Sequence, residues 1–253
     1  MGQMENNTIT AADRWFTSQK YRVLSGSVLK MTALLCMLID HSAAVILGQI
    51  DTANADIISI GSHGVSLYWI CRMIGRLAFP IYSFLITEGY IHTHDKKKYG
   101  ISLLCFALIS EIPWNLEHSG RLLYRSQNVF FTLFLGFLAI CLYEKYKDDK
   151  QDLLISLMAL FAVSVILKAD YGSRGLGFIL FLYIMRDKKI LQAVIGSCFF
   201  SLSWAVMAAF IPINMYNGER GFIKGKAAKY AFYAAYPLHI LLLYFLRAKY
   251  FGY

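Results

Sequence analysis

Apolar side chains recur along this chain in long blocks, separated by short polar segments that are mostly basic. A helix rises about 1.5 Å per residue and the hydrocarbon core of a bilayer is roughly 30 Å thick, so a crossing needs about 20 predominantly apolar residues. Runs near that length predict helices at about residues 28–50, 67–91, 99–113, 128–146, 152–168, 175–186, 190–211 and 228–247. The pattern describes an all-α, polytopic membrane helical bundle of about eight transmembrane helices. The third and sixth runs are short and read as half-helices or as segments buried by their neighbours. Residues 1–27 form a polar tail and residues 28–253 one transmembrane domain. The tail lacks the apolar stretch and small-residue cleavage site of a secretory signal, so the first helix is expected to stay in the mature protein.

Composition sharpens this picture. Residues of the apolar and aromatic types make up 57%, charged residues only 16%, and mean hydropathy is +0.48, which excludes a soluble enzyme held by one anchor. The formal charge of +9 does not point to nucleic acid, because the basic residues sit in clusters between apolar runs instead of lining one groove. Sorting Lys and Arg by alternate connections places Arg14, Lys20, Arg22, Lys30, Lys96, Lys97, Lys98, Lys145, Lys147, Lys150, Arg186, Lys188, Lys189, Arg247 and Lys249 on one face. The positive-inside rule makes that face, and both termini, cytoplasmic in a multi-pass cell-membrane protein. The last outer loop, GERGFIKGKAAK, is then basic against the rule. It is either a long solvated loop exempt from the bias or a surface that meets something anionic. The five cysteines form no CxxC pair and read as buried thiols, and no metal site is expected. No internal repeat is visible, which removes the easiest argument for an inverted-repeat transporter.

Charge in hydrocarbon costs several kcal/mol, on the order of 3 at the centre of a span, so Asp40, His41, Arg72, Arg76, Glu88, Glu111 and His239 need partners or a wet cavity. Asn115, Asn128 and Arg174 bias this polar set toward the outer half of the membrane. In the first span Lys30 precedes His41 by a spacing that brings both to one helix face, roughly 16 Å apart along the axis. That is about the reach of an extended pantetheine arm. The same two residues also read as an ordinary positive-inside flank and a satisfied buried histidine. Asp40 and His41 are neighbours in sequence and point about 100° apart, so a hydrolase-like pair is disfavoured and Asp40 is expected to answer an arginine. Arg72 and Arg76 share a face four residues apart, leaving positive charge for an anionic group or an oxyanion. Pro80 predicts a kink between these arginines and Glu88. Glu88 reads as an interfacial carboxylate, a partner of His92 or His94, or part of a cofactor mouth. Glu111 and Asn115 stand one turn apart across Pro113. Pro237 frees the carbonyl of Tyr233 two residues before His239, a break that either lines a cavity or bends the helix.

The blocks LKMTALLCMLIDHSAA, CRMIGRLAFPIYSFLITEGYIHT, KYGISLLCFALISEIPWNL, NVFFTLFLGFLAI and AAYPLHILLLYFLR together resemble the TraX family, over nearly the whole chain from about residue 28. That resemblance implies N-terminal acetylation of pilin subunits and kinship with membrane acyltransferases of the acyltransferase-3 superfamily. In those relatives an arginine precedes an essential histidine by the spacing that separates Lys30 from His41 here, and lysine binds phosphate as a point charge without arginine's bidentate fork.

The resulting expectation is an integral membrane acyltransferase carrying an acetyl group from acetyl-CoA to an amine or hydroxyl of a membrane-presented or exported acceptor, a pilin-like peptide or a glycan. His41, helped by Asp40, would do the chemistry. Lys30, Arg72, Arg76 and Glu88 would hold the donor, and Glu111, Asn115, Asn128, Arg174 and His239 the acceptor. The rivals are a proton-coupled or anion transporter, and a non-catalytic pilus or export assembly factor whose charges only hold helices together.

Overall fold

A computed structural model describes residues 19–60 and 63–252. Its helices are α1 (Gly26–Val45), the short α2 (Asp51–Asn54), α3 (Leu67–Gly75), α4 (Ala78–His92), α5 (Lys96–Ser119), α6 (Val129–Tyr146), α7 (Lys150–Leu167), α8 (Gly172–Ile184), α9 (Lys189–Cys198), α10 (Trp204–Asn214) and α11 (Gly225–Phe251). A hairpin of β1 (Asp56–Ile60) and β2 (His63–Ser66) caps the connection from α2 to α3, where the hydrophobic pattern indicates only a loop. Among the described residues six stretches are long and apolar enough to cross a membrane: Gly26–Gln49, Leu67–His92, Lys96–Ser119, Val129–Tyr146, Lys150–Leu167 and Gly225–Phe251. Three shorter apolar helices, α8, α9 and α10, complete the bundle, where about eight crossings, the third and sixth short, are expected.

Local chemistry explains most boundaries. Ser25 caps α1, Asp95 caps α5, Asn128 caps α6 and Asp149 caps α7, each side chain accepting a backbone N–H of the first turn. Pro80 cannot donate to the carbonyl of Arg76, and the long second stretch breaks there, with Pro80 settled in the first turn of α4. Pro113 has the opposite outcome. The third span, expected to be short, runs through it for 24 residues to Ser119 and ends on Gly120 in the left-handed region at φ 64°. The expected continuous helix over 190–211 is instead two helices, separated by a turn in which Ser201 and Leu202 have φ of 56° and 54°. No Gly or Pro lies in that turn, and Phe199, Phe200 and Leu202 around its serines keep the apolar run nearly continuous.

Helix α4 is the hub: it packs on α1, α6, α8 and α10, while α11 closes the ring between α1 and α5. Close approach of α6 and α8 depends on small residues, since a Cβ on Gly136 would fall 2.4 Å from Ile179 and one on Gly175 2.5 Å from Thr132. Helix α7 stays on the periphery, with only 11% of its apolar stretch buried, as a helix facing lipid would be.

The directions of the helices correct the expected topology. The segment after α10 is stitched to the start of α1: Leu24 N–H donates to Met215 O at 2.9 Å, Gly26 N–H to Glu219 O at 2.8 Å, and Ile223 N–H to Ser27 Oγ at 2.7 Å. Lys229 reaches Ser102 near the start of α5 at 3.5 Å, whereas Arg247 lies 3.9 Å from Glu117 near its end. Helices α1, α5 and α11 therefore run parallel, and the end of α11 lies opposite the start of α1. The expectation of two termini on one face fails because the 190–211 block folds back on itself, which adds one reversal. The same reversal moves Arg220, Lys224, Lys226 and Lys229 to the end that carries Lys96, Lys97, Lys98 and Lys147, and sends Arg247 and Lys249 to the other. The loop that was basic against the rule thus lies at the basic end. Arg14 lies outside the described residues. An epitope inserted at Gly218 and another after Tyr253 should react with impermeant antibody from opposite faces of sealed vesicles; reactivity from one face would overturn this arrangement.

Candidate functional site

The polar residues of α1 and α11 meet at the middle of the bundle. His41 sits in the second-last turn of α1 and His239 near the middle of α11, with Nδ1 of His41 2.6 Å from Nε2 of His239. The rings are 13° from parallel with centroids 4.9 Å apart, the separation that a nitrogen-to-nitrogen hydrogen bond in the ring plane produces. Tyr236, one turn before His239, sets its ring edge against both imidazoles at 5.9 and 5.7 Å and is itself braced by Phe130. His41 remains half-buried while His239 is buried.

On the side toward α3 lies an ion-pair group. Asp40 and Arg72 meet at 2.7 Å, and the Arg72 guanidinium also donates to the Asp40 carbonyl at 3.4 Å, so Asp40 answers an arginine as its spacing from His41 requires. Gly75 makes room for this: a Cβ there would fall 2.0 Å from the Asp40 carboxylate. The Arg76 side chain lies within electrostatic reach of Asp40 and forms no ion pair or hydrogen bond among the described residues, and the residue is exposed. His118, paired with Glu117, and Arg72 are both within electrostatic reach of His41.

Asp170, in the turn between α7 and α8, joins the same group, facing His118, Asp40 and Arg72. Protein packs around it while part of its surface stays exposed. Burial pushes its carboxyl up to about 6, the neighbouring Asp40 adding to the shift and His118 and Arg72 opposing it. Next to it, Tyr171 stacks on Phe79 at 3.6 Å and fixes the turn against α4.

At the basic end a second set assembles. Lys30 of α1 lies beside Arg220 and Lys229. Lys229 also stands over the rings of Tyr99, Tyr230 and Tyr233 at 5.8, 5.5 and 5.5 Å. None of these three cations forms an ion pair among the described residues. Ten residues separate Lys229 from His239, about 15 Å of helix, which parallels the Lys30 to His41 interval on the neighbouring helix.

Several expected site residues lie elsewhere. Glu88 pairs with His92 at 3.3 Å at the basic end and is separate from the histidine pair. Its cationic neighbour is Lys189. Burial and the Glu88 carboxylate together push the Tyr216 phenol up to about 12. An anion so engaged is unsuited to holding a phosphate. Glu111 accepts the Asn128 backbone N–H at 3.0 Å and also its side-chain amide, while that amide donates to Ala107 O at 2.8 Å. Asn115 donates to Leu122 O at 2.8 Å. These three residues lock the start of α6 onto α5, so acceptor binding is not the task their contacts describe. Arg174 is exposed at the start of α8 and contacts none of the histidine pair among the described residues. Among those residues no cluster of three His, Cys, Asp or Glu side chains suits a metal ion. The cysteines are all free; Cys105 and Cys198 are exposed, contrary to the expectation that all are buried.

Sequence reading missed Lys229, Arg220, His118 and Asp170. The Lys229 to His239 interval was visible in principle as a copy of the first-helix spacing. Asp170 carried no signal, being one carboxylate in a short turn.

These features define a polytopic helical membrane protein with a histidine pair between a cationic end and an ion-pair group. The chain belongs to the TraX protein family, which it matches over residues 25–247. It is also similar to the probable fimbrial assembly protein FimC, serogroup H1, of Dichelobacter nodosus, with 25% identity over 245 residues covering 85% of this chain and 92% of that protein. No solved structure matches it.

Two stability predictions follow from the contacts. Asn128→Ala removes the α6 cap and leaves Glu111 without its amide partner, and should cost about 2 kcal/mol or more in detergent unfolding; a loss below a few tenths would show that the α5–α6 lock is dispensable. For Asp170, the native carboxyl keeps its proton up to about 6 while the unfolded chain gives it up near its ordinary value of 3.8. Its contribution to stability is present below the lower value and is lost as pH rises through the higher one. The melting temperature of Asp170→Asn minus that of wild type should therefore grow between those two pH values; a flat difference would contradict the burial of this carboxyl.

Proposed function

We propose that this protein is a membrane acyltransferase that takes an acetyl group from acetyl-CoA at its basic end and passes it, at His41, to an amine or hydroxyl presented from the opposite end. The observation that carries the reading is the pair of parallel tracks on α1 and α11. Each helix has a lysine at the basic end, Lys30 and Lys229, and each has a histidine roughly 15 Å deeper. Unpaired cations beside tyrosine rings suit the phosphates and adenine of a coenzyme A, and the depth of the histidines suits its pantetheine arm. The basic end is then cytoplasmic, where the positive-inside rule puts it and where acetyl-CoA is made, and the membrane is the cell membrane.

In this reading His41 is the general base that removes a proton from the acceptor as its lone pair attacks the thioester carbonyl. Arg72 holds Asp40 and leaves Arg76 to oppose the charge that develops on the carbonyl oxygen. Asp170 and His118 line the approach on the acceptor side. Family membership and the fimbrial assembly relative favour a pilin-like exported peptide as the acceptor.

A second reading rests on that relative's name: a non-catalytic assembly factor, in which the same charges hold helices and a partner together. The two separate on one experiment. Purified protein in detergent should bind radiolabelled acetyl-CoA saturably, with affinity falling about tenfold in Lys30→Ala and in Lys229→Ala, each having lost one charge-assisted contact. His41→Ala should retain binding and lose transfer or slow hydrolysis by about 100-fold or more. Folded wild-type protein that binds no acetyl-CoA would sink the enzyme reading and leave the assembly one.

A further inference from the structure

His239 makes two hydrogen bonds, and together they fix where the protons are. Its Nδ1 lies 2.8 Å from the carbonyl oxygen of Ala235, which can only accept, so that nitrogen carries a hydrogen and donates it. In a neutral imidazole the other nitrogen, Nε2, then has the lone pair. Nε2 is the atom 2.6 Å from Nδ1 of His41, so His41 must be the donor and carry its hydrogen on Nδ1. By the same rule Nε2 of His41 has the lone pair, and it makes no hydrogen bond among the described residues. The near-coplanar rings and the edge of Tyr236 against both of them hold this arrangement. No carboxylate forms an ion pair with either imidazole among the described residues; Asp40, the sequence neighbour, is taken by Arg72.

We infer that His239 is the positioning residue of the base: it locks His41 in the Nδ1–H tautomer, making Nε2 the basic atom, and receives the Nδ1 proton when Nε2 is protonated. This rests on the transfer reading above and deepens it by assigning the proton path. The acceptor's lone pair forms a bond to the acetyl carbon and the carbon–sulfur bond breaks, with its electron pair leaving on sulfur. The acceptor's proton goes to Nε2 of His41 as the Nδ1 proton shifts to Nε2 of His239, which then holds hydrogens on both nitrogens. Return of the two protons along the same path protonates the departing thiolate, so both histidines end neutral and nothing is oxidised. The task that a buried carboxylate performs for a catalytic histidine elsewhere falls here to a second imidazole, which places no fixed negative charge at mid-membrane.

The test uses full-length protein with 15N-labelled histidine, reconstituted in lipid, and reads tautomers directly by NMR. Wild type should show one neutral histidine with Nδ1 protonated and Nε2 at the far-downfield position of a bare ring nitrogen, assigned to His41 by its loss in His41→Ala. His239→Leu should move His41 to the other tautomer. His239→Gln offers an amide oxygen in place of Nε2 and should keep the tautomer while being unable to take the proton. In acetyl transfer or hydrolysis assays, the Gln variant should keep its KM for acetyl-CoA and lose about 100-fold in kcat, the scale of a lost base function. Wild-type His41 with its proton on Nε2, or a Gln variant of full kcat, would overturn the inference. Absence of any acetyl-CoA turnover in wild type would sink the transfer reading, whereas the NMR result tests the proton arrangement on its own.

Discussion

Two imidazoles 2.6 Å apart, on helices that begin 199 residues apart in sequence, impose a condition on everything between them. His41 and His239 each lie about ten residues past the lysine at the basic end of their helix, so they meet only if α1 and α11 start at the same end and run the same way. An odd number of full crossings must then lie between them, and the apolar block at 190–211 decides the parity. By folding back into α9 and α10 it returns the chain to the basic end before α11 begins. The stitches between Leu24, Gly26 and Ser27 and the 215–223 segment hold that return in place. Neither short helix could carry the topology alone, since each is about half the length of a bilayer crossing.

The legible parts of the fold are those whose signal is local. Long apolar runs, the caps at Ser25, Asp95, Asn128 and Asp149, and the break that Pro80 forces after Arg76 can all be read from a few neighbouring residues. What escapes is whatever the bundle decides collectively. Pro113 reads as an end, yet α5 continues past it because Trp114 and Asn115 are bonded to Ser126 and Leu122 in the following segment. The turn at Ser201 and Leu202 is hard to see because neither Gly nor Pro marks it and its two serines alternate with apolar residues. The error in topology was thus one missed turn, and the misplaced basic loop was its visible symptom.

Among site residues the same division holds. Periodicity correctly placed Lys30 and His41 on one face and sent Asp40 to an arginine, because both statements concern one helix or one buried charge seeking its opposite. It could not say which of the remaining polar residues gather around the histidine pair. Glu111 and Asn128 looked like ligands of a substrate because polar groups in apolar runs look alike in sequence; in the structure they satisfy each other and the exposed backbone of a helix start. His239 was classed with the acceptor because nothing in the chain order connects the last helix to the first.

The distribution of charge along the bundle axis bears on the direction that the proposed transfer would take. Lys30, Lys229 and Arg220 stand at one end without paired carboxylates, whereas Asp40, Asp170 and Glu117 are gathered with Arg72, Arg76 and His118 toward the other. The carboxylates Glu88 and Glu144 share the basic end, yet they are engaged by His92 and Lys147 and leave Lys30, Lys229 and Arg220 without an ion pair among the described residues. An unpaired cation near hydrocarbon costs free energy, which a polyanion bound at that end would offset. The histidine pair sits at the boundary between the two ends, neutral in both rings, where a group could pass from one environment to the other without carrying net charge across the middle of the membrane.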